Sequence, residues 1–333
     1  MSLPMRDRSQ EDVAQPFRAA KIVPRVTVGV VTRNRPASLG ECLVSLALLG
    51  DALAEVIVVD DTSDAPLESA LVDLPAPVAS KLRLIRQTGR EGYIVARNTI
   101  MRTASTDYVL LMDDDAALLS GRTILDAIGL LDAHPRIGAI ACAMAERDGS
   151  PWHPATQPAP VDYTCYVPTF IGFAHILRRA LFVELAGYRE SFHFYGEEKD
   201  YCLRMLDAGF DIVYMPSARV VHAPDPAGRS QSKYVRYTIR NDCLFALYNE
   251  PLPLALVSVP VRLGRYLSMS RGFDDRGGFA WIVRELVRQL PSILGGRRPV
   301  SWTTVRQWRR VGRTWPAFPR HHDAERAALG RPA

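Results

Sequence analysis

Three consecutive aspartates, Asp113-Asp114-Asp115, stand directly after the apolar run at residues 108–112. Alternate carboxylates in such a run can face one hard cation, Mg2+ or Mn2+, and that cation can hold a diphosphate. An acidic turn capping the next helix would look the same at this level. The cation reading makes a further demand: nucleotide-binding residues at earlier strand ends. Three such sets are present. Asp60-Asp61 follows the run 55–59, and an acid there can accept hydrogen bonds from a ribose or a base. Thr32-Arg33-Asn34-Arg35 follows 25–31 and offers backbone and guanidinium donors. Arg97-Asn98 lies just past the loop Gly89-Arg90-Glu91-Gly92, where an arginine can approach a phosphate or simply face solvent. Further on, Gly196-Glu197-Glu198-Lys199-Asp200 opens a helix. A carboxylate in a first helical turn sits at the positive end of the dipole, which favours its charged form and suits a general base. His222 closes an extended segment, and a neutral imidazole there can complete a metal site or serve packing.

These residues need elements to position them. Runs rich in apolar and β-branched residues predict strands at 25–31, 55–59, 82–86, 108–112 and 137–143. Helices are expected between them, one with Ser38 as its cap and Leu39, Cys42, Leu43 and Leu46 on one face. Others are expected over 93–103 and about 123–133. The β-α alternation predicts an α/β fold with a mostly parallel sheet covered by helices on both faces. The polar clusters fall at strand carboxyl ends, where open α/β sheets bind ligands. Beyond an irregular, proline-rich stretch at 149–168, a strand is expected over 170–177 and short helices over 180–185 and 197–206. Extended segments follow at 211–215 and 219–222. The pattern then turns helical and arginine-rich. It divides the chain into a polar, flexible segment 1–24, a catalytic domain 25–228 and a basic, mainly helical region 229–333.

In this order the motifs resemble the family-2 glycosyltransferases of the GT-A fold, a large group of inverting bacterial sugar transferases. The matching pieces are VVTRNR at 30–35, VVDDTS at 58–63, GREGYIVARN at 89–98 and MDDDA at 112–116. Gly187-Tyr188 with Glu190-Ser191-Phe192, then YGEEKDYCLR at 195–204, and Tyr214-Met215-Pro216 leading to His222 complete the set. The resemblance covers about residues 25–225. It implies a Rossmann-like catalytic domain that moves a sugar from a nucleotide-diphosphate donor to an acceptor hydroxyl, as in cell-envelope polysaccharide, glycolipid or glycoconjugate synthesis. Asp60 would read the base or ribose. Thr32, Arg33, Asn34 and Asp114 would line the nucleotide, and Arg97 would lie near the sugar-diphosphate. Asp113 and Asp115 would form the DxD pair that binds metal, with His222 as a further ligand. Glu197-Glu198 would occupy the family's Glu-Asp position. The second acid, usually aspartate and usually the base, is Glu198 here, so Glu197 and Asp200 stay as lesser candidates.

Composition excludes other classes. The chain has 333 residues, 47% hydrophobic and 23% charged, which is globular rather than disordered. Five scattered cysteines with no CxxC pair support neither a zinc knuckle nor a disulfide framework, and a reducing cytoplasm is expected. The first residues lack the apolar core of a signal peptide. The longest apolar run, 252–261, carries Pro253 and Pro260 and is too short to span a bilayer. Residues 229–333 hold 19 basic and 7 acidic residues, whereas 1–228 hold 22 and 29. Such a basic tail suits an anionic surface, and peripheral contact at the inner face of the membrane is one expectation. No nucleic-acid motif accompanies it. A helix at 281–290, with Trp281, Ile282, Leu286 and Leu290 on one face, could meet lipid. It could equally pack on the catalytic domain or on a second subunit of a homo-oligomer. Two other functions compete with transfer: a sugar-phosphate nucleotidyltransferase, disfavoured because the first turn lacks glycine, and a non-catalytic nucleotide-sugar scaffold.

Overall fold

The computed structural model describes residues 25–224, 230–272, 275 and 277–319. The segment 1–24 and the last residues of the basic region lie outside them. The chain opens with strand β1 (Val26–Thr32), helix α1 (Pro36–Ser45) and strand β2 (Leu53–Asp60). Two one-turn helices, α2 (Glu68–Leu71) and α3 (Ala76–Ala79), lead to β3 (Leu82–Arg86). Next come α4 (Tyr93–Thr103), β4 (Tyr108–Asp113), β5 (Ala116–Leu118), α5 (Gly121–Ala133) and β6 (Ile137–Ala145). They are followed by β7 (Cys165–Tyr166), β8 (Ala174–Arg178), α6 (Arg179–Glu184), α7 (Glu197–Asp207) and β9 (Asp211–His222). Five helices close the described chain: α8 (Gln231–Asn249), α9 (Leu252–Met269), α10 (Gly278–Arg288), α11 (Leu290–Gly296) and α12 (Trp302–Thr314).

One sheet runs β3-β2-β1-β4-β8-β6-β9-β5, with β7 beside β9. Its first four strands are parallel, as the β-α alternation requires. β8 then enters antiparallel between β4 and β6, so the sheet is mixed and its far half differs from the near one. The register does the positioning. Thr32 lies opposite Asp60, and Val31 opposite Asp113, so three polar clusters share one carboxyl edge. β5 pairs antiparallel with β9, which sets His222 beside Ala116, one residue past the aspartate run. The two extended segments expected at 211–215 and 219–222 form one strand, with a register shift around Pro216 that takes up the proline's missing donor.

Local differences have local causes. Ser38 does not cap α1; the helix starts at Pro36, whose fixed φ suits a first helical position, and Ser38 lies inside its first turn. The strand expected from 170 begins only at Ala174. Residues Gly172 and Phe173 instead reach the aspartate run, where the Asp113 amide donates to the Phe173 carbonyl at 2.8 Å. Leu290 does not continue the face of Trp281, Ile282 and Leu286; it starts a separate helix and is exposed.

Helices cover both faces of the sheet, each over its own apolar layer. The layers leave no slack. A Cβ on Gly29 of β1 would meet Ile100 of α4 at 2.3 Å, so only glycine lets α4 lie that close. The basic region packs onto the same body. On α10, Ile282 and Leu286 turn inward. At the start of α12, the Ser301 amide and the Thr304 hydroxyl both donate to Asp207 at the end of α7. All five cysteines are buried and free. Among the described residues, no helix is long and apolar enough to cross a membrane.

Candidate active site

The aspartate run splits by direction. Asp113, Asp115 and His222 each offer a ligand atom, and these atoms lie within 4.8 Å of one another. His222 Nε2 sits 3.5 Å from Asp115 Oδ1. That oxygen is buried and has no hydrogen-bond partner among the described residues. A buried acceptor left without a donor is costly, and a cation would relieve it. Two carboxylates and an imidazole suit Mg2+ or Mn2+, so the donor set fits the expected metal. The imidazole ring is held between Trp152 and Phe173, with centroids 5.4 and 5.0 Å away.

Asp114 is not part of this cluster. It accepts from Thr32 Oγ1 at 2.7 Å and from Arg35 at 3.1 Å. Burial pushes its carboxyl up to about 6. Arg35 also donates to Asp115 at 3.0 Å, so one guanidinium ties the run to the first turn. Thr32 and Asp114 therefore spend their polar atoms on each other and shape the site from below.

Asp60 is similarly engaged. One oxygen accepts from the Ser63 amide and hydroxyl at 2.9 and 2.6 Å, and the other pairs with Arg86 at 3.1 Å. Asn34 exchanges hydrogen bonds with Asp64, and Arg33 Nε donates to the Thr62 carbonyl at 3.5 Å. Asp61 accepts from the Glu91 and Gly92 amides. The loops after β1, β2 and β3 are thus laced together, and Asn34 and Thr62 hold positive φ to make the lacing.

Arg97, on α4, is buried between the two acidic groups. It donates to Asp113 at 2.7 Å, to Glu197 at 3.0 Å and to Glu198 at 3.4 Å, as well as to the Gly172 carbonyl at 2.8 Å. Burial alone would ease its deprotonation, but Asp113, Glu197 and Glu198 override that and hold it charged. The guanidinium was expected near a phosphate, and here its donors go to carboxylates. Glu197 is wholly buried and also accepts from the Tyr93 hydroxyl at 3.1 Å. Burial and the neighbouring Glu198 charge push its carboxyl well above the usual range, against the pull of Arg97. The Glu198 side chain keeps 17% exposure. Gly172 makes room for it, since a Cβ there would come within 2.1 Å of its Oε1. Asp200 is enclosed: Arg189, Arg204 and Asn249 take its oxygens, and it has no open atom.

The loop that leads into α7 holds positive φ at His193, Tyr195 and Gly196. Asn241 on α8 secures it by donating to the carbonyls of Phe192, Phe194 and Tyr195. The Tyr93 hydroxyl accepts from the Tyr195 amide, linking the same loop to Glu197. Beside this loop, between α8 and α10, lies a cavity of about 550 Å³ lined by Ser230, Lys233, Arg236, Tyr237 and Trp281. The Tyr237 ring meets Phe194, and the Tyr234 ring meets Tyr195. Sequence reasoning gave no role to Tyr93, Gly172 or Asn241. Arg35 lies inside a quoted motif, but nothing marked it off from Arg33.

Residues 27–189 match the family model for glycosyl transferase family 2. The chain carries a glycosyl transferase family 2 domain. It is 30% identical over 212 residues to the Mycobacterium tuberculosis pre-mycofactocin glycosyltransferase, covering 59% of this chain and 42% of that protein. The chain thus spans under half the length of this relative. It is 24% identical over 215 residues to the Bacillus subtilis glycosyltransferase YwdF, covering 62% and 77%. Among solved structures, the Pyrobaculum calidifontis mannosyltransferase PcManGT, in complex with GDP-Man and Mn2+, matches with a TM-score of 0.54 at 20% identity, covering 90% of both chains. S. aureus TarS 1-349 matches with a TM-score of 0.53 at 19% identity, covering 76% and 74%. These likenesses establish the shared GT-A fold of the family 2 domain.

Proposed function

We propose that this protein is an inverting, metal-dependent glycosyltransferase that moves a sugar from a nucleotide-diphosphate donor to an acceptor hydroxyl. One observation carries the reading: Arg97, itself buried, joins an aspartate of the candidate metal cluster and a pair of glutamates in a single network. A cation site and a base would thereby be held at a fixed separation.

Glu198 is the proposed base, because it alone of the three acids on the first turn of α7 has a side chain that still reaches solvent. It takes the proton of the acceptor hydroxyl. The hydroxyl oxygen then bonds to the anomeric carbon from the face opposite the nucleotide. The bond from that carbon to the diphosphate oxygen breaks, and the diphosphate leaves with the electron pair. Configuration inverts, and no covalent nucleophile is needed. Arg97 keeps Glu198 oriented and balances the negative charge of the acids. Asp113, Asp115 and His222 would hold Mg2+ or Mn2+, which when bound supplies positive charge for the leaving diphosphate. PcManGT with GDP-Man and TarS with UDP-GlcNAc support a sugar nucleotide as donor, and an envelope glycan, glycolipid or glycoconjugate is the proposed acceptor class. Five free buried cysteines fit work in the reducing cytoplasm.

The test is donor turnover. The purified protein is offered UDP-, dTDP- and GDP-sugars with Mg2+, Mn2+ or EDTA, and free nucleotide is recorded. Metal-dependent release from one donor is expected. No release from any donor, together with no thermal shift by any nucleotide or metal, would overturn the reading in favour of a scaffold.

A further inference from the structure

Helix α9 is amphipathic in the wrong sense for a helix facing water. Its outward stripe is Leu252, Pro253, Leu256, Val257, Pro260 and Val261, ending at Gly264. Leu256 is 67% exposed and Val261 65%. The spacing of three and four residues puts them on one face over about 20 Å of helix. No polar side chain interrupts the stripe. One polar group of this helix turns inward instead: Arg262 pairs with Glu250 at 2.8 Å. Ordinary surface helices do the reverse. An apolar stripe of this size on a soluble body marks an interaction surface.

Charge selects the partner. Residues 251–319 contain twelve arginines and three acids. Of the acids, Asp275 is buried against Arg236, and Glu285 pairs with Arg288 at 3.0 Å. Arg265, Arg271, Arg284 and Arg288 are exposed, the first two following the stripe and the others on α10. The Tyr266 ring of α9 meets Phe279 of α10, so the two helices are neighbours. A second copy of this face would oppose arginine to arginine, which costs affinity. We infer that α9 is an interfacial helix that lies flat on an anionic bilayer, its apolar stripe in the acyl boundary and the arginines at the headgroups. The stripe is too short to span the bilayer. This inference goes beyond the transferase reading and does not depend on it, because its test reads lipid partition rather than turnover.

The experiment is vesicle co-sedimentation of the full chain, with phosphatidylcholine alone and with about 30 mol% phosphatidylglycerol, a composition in the anionic range that draws basic surfaces. The wild type is expected to pellet with the anionic vesicles and to stay largely in the supernatant with the neutral ones. The double change Leu256→Ser with Val261→Ser is expected to weaken partition about tenfold with an unchanged thermal midpoint, since both residues are already in water. Arg284→Glu with Arg288→Glu is expected to remove the preference for anionic lipid. Failure of the wild type to pellet, or equal pelleting of the serine variant, would overturn the inference. So would a solution dimer that the serine variant splits, which would assign the stripe to a second copy.

Discussion

Glu198 and Asp200 lie two residues apart in the first turn of one helix, and both face arginine. Glu198 meets Arg97 at 3.4 Å and its side chain still reaches solvent. Asp200 is closed in by Arg189, Arg204 and Asn249 and is fully buried. One carboxylate is held and left free to react; the other is consumed in tying α7 to α8. A carboxylate on a helix start is equally favoured by the dipole in both places. What separates chemistry from architecture is how many donors each oxygen already has.

That contrast leads to substitutions with opposite signatures. Asp200→Ala strands two partly buried arginines around a fully buried position, and chemical denaturation is expected to show a loss of about 3–5 kcal/mol in stability. Gly172→Ala acts on the other acid. Its Cβ would collide with Glu198 Oε1, and kcat is expected to fall about a hundredfold through misplacement, with the thermal midpoint little changed. Asn241→Ala removes the donor to three loop carbonyls and is expected to cost about 1–3 kcal/mol, with raised amide exchange at residues 192–196.

The smallest effect is the titration of a buried histidine behind the site. His175 is stacked on Phe170 and shares a hydrogen bond with Tyr188 at 2.8 Å. Burial holds its imidazole pKa well below the ordinary value. The unfolded chain therefore takes up this proton first as pH falls. Stability is full above pH ~6.5 and declines below it by up to about 1.4 kcal/mol per pH unit. In urea titrations at pH 7.5 and 5.5, His175→Gln is expected to flatten this part of the profile.

Much of the near half of the molecule is legible in the sequence. Asp60, Asp113 and the Thr32 turn each follow an apolar run, so a parallel sheet must collect them at one edge. The far half is less so. His222 reaches the aspartates through an antiparallel pairing that no local pattern reports. Gly172 matters because of a side chain 26 residues away in the chain, and Asn241 because of a loop about 45 residues before it. That Asp114 is taken up by Thr32 and Arg35, and stays out of the cluster of Asp113, Asp115 and His222, is set by residues about 80 positions earlier and not by its own neighbours. The apolar residues of α9 are visible as a run too short to span a bilayer. Which of its faces turns outward is set by α8, and only the packing reveals it.

The most direct measurement is nucleotide release by Glu198→Gln beside its donor affinity. Gln keeps the size of the side chain and loses the basic oxygen. Donor binding within about twofold of wild type, with turnover down about a thousandfold, is the predicted result. Turnover retained in the variant would contradict the assignment of Glu198 as the base.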